Sequence, residues 1–299
     1  MRKTAVLKEL ILAPKILIMP GAHDALVAKI IEHIGFQALT VGGFSATANI
    51  LGKPDVSLLT LTEMVEYTRK ICSAVDIPVF TDGDTGYGNI TNVIRTVKEM
   101  ERSGAAGMFI EDQVFPKRCG HMEGKQVIAS EEMVAKIKAA LDARTDKDFI
   151  IMARTDALAV YGIEEAIRRG NSYREAGADL IFVEAPETID DMRRINKEIK
   201  APTLANNIEG GKSPLLSAKV LEEIGYNVVV FPISMTLCVA KLAMDLMKEI
   251  KETGTTLSFI DQMMSFTDFT NLVGLREIRS KEEFYLKDYY KKICEANIK

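Results

Sequence analysis

Short apolar runs separated by amphipathic segments recur through most of this 299-residue chain. Each run is too short for a helix and too continuous for a half-exposed strand, so it is typical of a parallel strand buried on both faces. The pattern predicts strands at 16–19, 38–41, 78–81, 107–110, 149–153, 180–183, 203–205 and 228–231. The segments between them predict amphipathic helices.

Start and stop signals mark the ends of these helices. Several units place a glycine between the helix and the next apolar run, where a left-handed residue ends a helix. These glycines are Gly35, Gly104, Gly177 and Gly225. Thr60 with Glu63 matches a capping box, and Thr188 with Asp191 is a weaker analogue. Ser130 and Thr91 are also predicted N-terminal caps.

Strand and helix alternate eight times without a linker or low-complexity stretch. We therefore predict an α/β protein with one domain, 1–299, folded as a (β/α)8 barrel of the TIM type. An open doubly wound sheet is the alternative, but no G-x-G-x-x-G follows the first strand to support it.

The C-terminal part exceeds what a barrel needs. Residues 235–252 predict a helix that ends near Gly254, and residues 257–299 form an apolar helical extension that includes Phe259, Phe266 and Phe284. Such an apolar appendage must pack on its own barrel or on another subunit. We expect it to form an oligomer.

Composition excludes several classes of function. A net charge of -4 gives no electrostatic reason to expect nucleic-acid binding. No apolar stretch suits a membrane span, and charges near the N-terminus interrupt any signal-peptide pattern. The four cysteines contain no C-x-x-C, which favours reduced thiols in a cytoplasmic protein.

Acidic residues follow the third and fourth predicted strands, at the end of a barrel where active sites lie. Asp82 and Asp84 are two residues apart, and on extended chain their carboxylates would point the same way. With Glu111 they would form an oxygen-only site that suits Mg²⁺ or Mn²⁺. Alternatively, the D-x-D segment is a loop that caps its own backbone.

A charged loop from Glu111 to Lys125 follows the fourth strand. Its Cys119 lies between Lys117-Arg118 and His121, and a positive environment lowers a thiol pKa. A solvated loop with an incidental cysteine is the alternative. Arg154, after the fifth strand, could balance the acids or hold a substrate carboxylate through its planar guanidinium.

Three motifs closely resemble the isocitrate lyase/phosphoenolpyruvate mutase superfamily over nearly the whole chain. They are Lys117-Arg-Cys-Gly-His121, Asp82-x-Asp84-Thr-Gly-Tyr-Gly88 and Ala153-Arg-Thr-Asp-Ala157. The resemblance implies a (β/α)8 barrel whose C-terminal helices swap between subunits, usually in tetramers. It also implies Mg²⁺ and an enolate of a pyruvate-like 2-oxo acid.

The resemblance also implies roles for individual residues. Asp82 and Asp84 resemble the metal-site aspartates, with Asp55 and Glu111 holding metal-bound waters. Cys119 resembles the thiol that protonates the departing carboxylic acid, in a loop with Lys117, Arg118 and His121. The residues that resemble the substrate pocket are Gly42, Gly43, Phe44, Arg154, Glu184, Asn206, Glu209 and Ser234.

The thiol loop favours carbon–carbon cleavage of a small 2-hydroxy carboxylic acid, because the mutases of this family lack it. Methylisocitrate lyases place an arginine where Leu237 stands and tend to have threonine where Ile208 stands. Losing that arginine disfavours a tricarboxylate. We therefore expect a lyase most like 2,3-dimethylmalate lyase, giving pyruvate and propionate. Methylisocitrate lyase, oxaloacetate hydrolase, carboxyphosphonoenolpyruvate mutase and a non-catalytic metabolite-binding barrel are the alternatives.

Overall fold

The computed structural model describes residues 1–120 and 122–296. Within them, eight short parallel strands follow one another along the chain. They are β1 (Leu17–Pro20), β2 (Leu39–Val41), β3 (Val79–Asp82), β4 (Gly107–Glu111), β5 (Ile150–Thr155), β6 (Leu180–Val183), β7 (Leu204–Asn206) and β8 (Val228–Phe231). Each lies within two residues of its predicted bounds, which confirms the interpretation of the apolar runs.

Strand pairing closes these strands into a barrel. β2 to β6 pair in chain order, and β1, β8 and β7 form a second parallel set. Single bridges join the sets, from Gly21 to Thr40 and from Ile181 to Thr203. The first and last strands pair with each other, so the predicted (β/α)8 barrel is confirmed and the open sheet is wrong.

Helices alternate with the strands. They are α1 (Lys3–Leu12), α2 (Ala25–Ile34), α3 (Gly43–Leu51), α4 (Leu61–Ala74), α5 (Ile90–Arg102), α6 (Ser130–Ala143), α7 (Ala157–Tyr161), α8 (Ile163–Glu175), α9 (Ile189–Glu198), α10 (Ala218–Ile224), α11 (Ser234–Thr253), α12 (Phe266–Leu272) and α13 (Leu275–Ala296). A 3₁₀ helix spans Leu257–Gln262. Among the described residues, no helix is both long enough and apolar enough to cross a membrane.

The helix ends agree with the predicted signals except at two caps. The four predicted glycines have φ between 94° and 117°, and Thr60 forms a capping box with Glu63. Thr91 is not a cap, because Asn89 accepts hydrogen bonds from the first turn of α5 and is the stronger capping residue. Ser130 is not one either, since it is already the first residue of α6.

Two layers of apolar side chains build the barrel. Inward-facing strand residues form one cluster, which includes Met19, Phe80, Phe109 and Leu180. Leu7 of α1 also belongs to it. A larger cluster packs the outer strand faces against the surrounding helices. Both strand faces are therefore buried, as continuous apolar runs require.

The chain divides into two compact units, residues 1–240 and residues from Lys241 onward. The first contains the barrel. The second, over its described residues, contains the end of α11, the 3₁₀ helix, α12 and α13. The predicted single domain with an extension from residue 257 remains a prediction.

Candidate active site

A cavity of about 350 Å³ opens at the carboxyl ends of the strands. Eleven of the predicted site residues line it. They are Gly42, Gly43, Phe44, Asp55, Asp82, Lys117, Cys119, Arg154, Glu184, Asn206 and Glu209. Asp84, Glu111, Arg118 and Ser234 do not line it, and His121 lies outside the described residues.

Asp82 is the last residue of β3, and both of its carboxylate oxygens accept backbone hydrogen bonds. Oδ2 accepts from the N–H of Gly43 at 2.8 Å, and Oδ1 accepts from the N–H of Asp84 at 2.7 Å. Asp84 lies beyond the strand with φ of 53°, and its Oδ1 accepts from Thr85. The expectation of two side chains on extended chain is wrong, because the backbone turns left-handed immediately after Asp82.

Several carboxyl groups lie close together in this region, and burial changes the pKa of two of them. Glu111 is 1 % exposed, and neither of its carboxylate oxygens has a hydrogen-bond partner. Burial raises its pKa well above the usual value, and Asp156 and Asp84 add to that shift. Burial also raises the pKa of Asp84 to about 6, with nearby Asp82 and Asp55 acting in the same direction. We call Asp55, Asp82, Asp84 and Glu111 the acid cluster.

The acid cluster suits a hard divalent cation. Its donors are all carboxylate oxygens. The buried Glu111 Oε1 has no hydrogen-bond partner, while Glu111 Oε2 lies 3.1 Å from Arg154 Nη1. Among the described residues, no three acidic, histidine or cysteine side chains converge into a ready-made coordination sphere. That arrangement fits Mg²⁺, which usually takes one or two carboxylates and keeps several waters.

Lys117 supplies the positive charge inside the acid cluster. Its Nζ donates to Asp55 Oδ1 at 2.9 Å and Oδ2 at 2.7 Å, and it lies 3.8 Å from Asp84 Oδ2. Burial alone would lower the pKa of Lys117, but the acids around it, led by Asp84 and Glu111, raise that pKa above its usual value. The loop that carries Cys119 is therefore tied to the cluster at Lys117.

Further contacts fix the loop from Lys117 to Lys125. Gln113 donates to the carbonyl of Arg118 at 2.8 Å and accepts from its N–H at 3.0 Å. The Arg118 side chain is directed away from the cavity and donates to the carbonyl of Glu123. Cys119 and Met122 both line the cavity, so this loop forms part of its wall.

Arg154 is the next-to-last residue of β5, and acids surround its guanidinium. Asp156 accepts from Nε at 2.9 Å and Nη2 at 3.1 Å, Glu111 Oε2 lies 3.1 Å from Nη1, and Glu184 Oε2 lies 3.2 Å from Nη2. Burial opposes its charge, but these acids raise the pKa of Arg154 above its usual value. Arg154 therefore balances the acids and also lines the cavity, and its binding of a substrate carboxylate remains a prediction.

The opposite wall is mostly apolar. Ile208, Ile233 and Leu237 line it, near the ends of β7 and β8. Asn206 donates to Glu184 Oε1 at 3.3 Å, and Ser234 donates to Glu209 Oε1. Of the described cavity-lining side chains, only Lys117 and Arg154 are cationic, and both are paired with acids.

Sequence reasoning gave no role to three buried charged residues near the site. Asp156 holds Arg154, Lys125 donates to Asp156 Oδ1 at 2.8 Å, and Asp112 accepts from the N–H of Asp156 at 2.9 Å. Asp112 and Lys125 lie in the charged loop from Glu111 to Lys125, and Asp156 lies in the motif from Ala153 to Ala157. Charges that follow a buried strand were the available signal, but their partners are distant in sequence.

Comparisons with known proteins agree with this geometry. A sequence profile described as phosphoenolpyruvate phosphomutase matches residues 7–251. The chain is 48% identical over 285 residues to 2,3-dimethylmalate lyase of Eubacterium barkeri, covering 95% of this chain and 99% of that protein. It is 42% identical to 2-methylisocitrate lyase of Aeropyrum pernix, covering 94% and 90% of the two chains.

A solved structure of phosphonopyruvate hydrolase, in complex with oxalate and Mg²⁺, has a TM-score of 0.85 to this fold. It is 31% identical, and the match covers 96% of this chain and all of that one. Residues 7–251, which the phosphoenolpyruvate phosphomutase profile matches, contain all eight strands and every residue of the acid cluster. This chain belongs to the phosphoenolpyruvate phosphomutase family.

Proposed function

We propose that this protein is a Mg²⁺-dependent carbon–carbon lyase that cleaves 2,3-dimethylmalate, or a close 2-alkylmalate, to pyruvate and a short carboxylic acid. The observation that carries the proposal is that Cys119 lines the same cavity as Asp82 of the acid cluster and Arg154. A proton donor, a cation site and a carboxylate partner are the three parts that this cleavage needs.

Mg²⁺ bound at Asp82, with Asp84, Asp55 and Glu111 around it, would supply Lewis-acid stabilisation of the oxygen charge that develops at C2. Asp82 is held by the Gly43 and Asp84 amides, so its orientation is set before a cation binds. The pairing of Lys117 with Asp55 lowers the negative charge of the cluster and favours entry of an anionic substrate.

The bond changes are those of a retro-aldol-type cleavage. A base takes the proton of the 2-hydroxyl, the C2–C3 bond breaks, and C2 becomes the carbonyl carbon of pyruvate. The electron pair remains on C3, and the Cys119 thiol delivers a proton to that carbon. The loop contacts at Lys117 and Arg118 keep Cys119 at the cavity.

The apolar wall supports a small alkyl substituent on the substrate. Leu237 and Ile208 face the cavity where a tricarboxylate would need another cation. Lys117 and Arg154 are the only cationic side chains among the described cavity-lining residues, so a third substrate carboxylate would have no further cation to pair with. This argument favours the dimethylmalate reaction over methylisocitrate cleavage.

The deciding experiment compares three substrates with Mg²⁺ present. We expect pyruvate release from 2,3-dimethylmalate and little from 2-methylisocitrate. Preference for 2-methylisocitrate would contradict the substrate assignment and leave the lyase class in place. Formation of oxalate and acetate from oxaloacetate, without pyruvate from either malate derivative, would replace the lyase with a hydrolase.

We also propose that the enzyme acts in the cytoplasm as a homotetramer. Apolar side chains of the C-terminal unit are exposed, among them Phe266, Phe284 and Tyr285, and such surfaces commonly form subunit contacts. None of Cys72, Cys119 and Cys238, the cysteines whose side chains are described, forms a disulfide, which suits a reducing compartment. Light scattering that gives a monomeric mass would overturn the tetramer.

A further inference from the structure

Lys125 is a buried lysine at the base of the loop that carries Cys119. The loop leaves the barrel and returns beside itself, since Gln113 bridges to Val127 in antiparallel fashion. The N–H of Val114 donates to the carbonyl of Gln126 at 2.8 Å on the same base. Lys125 is therefore attached to the rigid base of the loop, while Cys119 lies near its tip.

The Lys125 ammonium joins the tip of the loop to the barrel. Its Nζ donates to the carbonyl oxygen of Gly120, the residue after Cys119, and to Asp156 Oδ1. Asp156 in turn accepts two hydrogen bonds from Arg154. One chain of charge-assisted hydrogen bonds thus runs from Arg154 through Asp156 and Lys125 to the peptide beside Cys119.

Close packing at Gly120 depends on this link. A Cβ on Gly120 would lie 2.5 Å from Arg154 Nη2 and 2.5 Å from Glu184 Cδ. The tip therefore lies directly against the Arg154–Glu184 pair, without a side chain between them. Lys125 holds the Gly120 carbonyl in this position.

We propose that Lys125 is a positioning residue that keeps the Cys119 segment closed over the cavity, in register with Arg154. The importance of this position for turnover rests on the function proposed above. The closed position itself does not, because it is described by contacts within the protein and requires no substrate. Without the ammonium, the Gly120 carbonyl loses its donor and the tip opens more often.

The barrel should survive removal of Lys125. Asp156 keeps both hydrogen bonds from Arg154, and its N–H still donates to Asp112. The antiparallel contacts at Val114 and Ile128 are made by backbone groups and do not involve the lysine side chain. Lys125→Met should therefore change the loop and leave the strands in place.

The test is the rate of Cys119 alkylation by iodoacetamide, resolved by peptide mass spectrometry in the full-length protein. We expect Lys125→Met to alkylate about tenfold faster than wild type, as loss of a charge-assisted hydrogen bond shifts a local opening equilibrium by that order. Rates within about twofold of each other would overturn the proposal.

Arg144→Met is the matched control. Arg144 also donates to one carboxylate and one backbone carbonyl, Asp179 Oδ2 and Phe149 O, each at 2.7 Å, but it precedes β5 at the other end of the barrel. Its loss should leave Cys119 alkylation unchanged. An equal increase in both variants would mean general destabilisation and would overturn the specific role of Lys125.

Lys125→Gln provides the second variant if Lys125→Met does not fold. An amide is too short to bond Gly120 and Asp156 together, so Cys119 alkylation should again exceed wild type. With an active substrate, either variant should lower kcat more than it raises KM. The alkylation assay uses no substrate, so absence of lyase activity in wild type would overturn the proposed function without touching the role of Lys125.

Discussion

The Lys117 ammonium lies 2.7 Å from Asp55 Oδ2, and both side chains are almost fully buried. A residue of the thiol loop therefore supplies the positive charge at the centre of the acid cluster. The acid cluster, where Mg²⁺ is proposed to bind, and the loop that carries Cys119 therefore share one electrostatic network. A substitution in one of them should change a measurable property of the other.

Lys117→Met should separate metal binding from catalysis. Breaking a buried ion pair leaves Asp55 unpaired, which costs about 3 kcal/mol in the free energy of unfolding of the metal-free protein. The stabilisation by Mg²⁺ should increase, because the cation would neutralise the same acids, while turnover falls. Thermal unfolding with EDTA or Mg²⁺ measures this, with the exposed Lys53→Met as control. An unchanged Mg²⁺ effect would argue against the shared network.

Asp84→Asn should stabilise the metal-free protein at neutral pH. The raised pKa of about 6 means that the folded state disfavours the Asp84 carboxylate. In wild type, this group should therefore reduce stability as the pH rises from about 4 to about 6, by roughly 3 kcal/mol in all. The variant should lose this pH dependence and most of its Mg²⁺ stabilisation.

The control for Asp84→Asn is Asp76→Asn, which changes an exposed aspartate outside the site. Its unfolding temperature should follow wild type at every pH. Equal stabilisation by both substitutions would show that the effect is one of net charge and not of burial.

Cys119→Ser should abolish turnover and preserve binding of pyruvate or oxalate with Mg²⁺. A hydroxyl is a far weaker acid than a thiol, so the proton donor to C3 is lost while the cavity keeps its shape. Isothermal titration gives the affinity, and pyruvate release gives the rate. Near-normal turnover would remove Cys119 from this role.

Gly120→Ala should prevent the loop from reaching its closed position, because the added methyl group would overlap Arg154 and Glu184. We expect turnover to fall about a hundredfold, a loss of the size that misplacement of a catalytic group causes. Gly170→Ala on α8 controls for steric strain, since its methyl group would meet Ile199 Cδ1 at 2.6 Å, Ile199 Cγ1 at 3.2 Å and Ile181 Cγ2 at 3.4 Å, none of which lines the cavity. Its turnover should match wild type.

Leu237→Arg should widen the substrate range toward 2-methylisocitrate. The new guanidinium would offer the partner that a third carboxylate lacks at this wall. Relative kcat/KM for the two substrates should shift by about tenfold or more toward the tricarboxylate. Leu237→Met, which changes shape without charge, should keep the wild-type preference; an identical shift in both would refute the electrostatic argument.

The sequence predicted the features that depend on local chemistry. Buried strands such as β6 and helix ends such as Gly35 follow from apolar runs and backbone conformation within a few residues. The left-handed turn at Asp84 could not be anticipated from the D-x-D spacing, which suits a strand equally well. The link from Arg154 through Asp156 to Lys125 joins separate loops, so only the folded chain reveals it.

The two single bridges, Gly21 to Thr40 and Ile181 to Thr203, have a mechanical consequence. They divide the barrel wall into two curved ribbons with thin seams between them. The cavity takes residues from both ribbons, for example Asp82 from one and Val230 from the other. The Ala22 and Ile181 N–H groups donate across the seams, to the carbonyls of Thr40 and Pro202. A bound substrate would hold the two ribbons together, so amide hydrogen exchange at Ala22 and Ile181 should slow on ligand binding more than exchange within either ribbon.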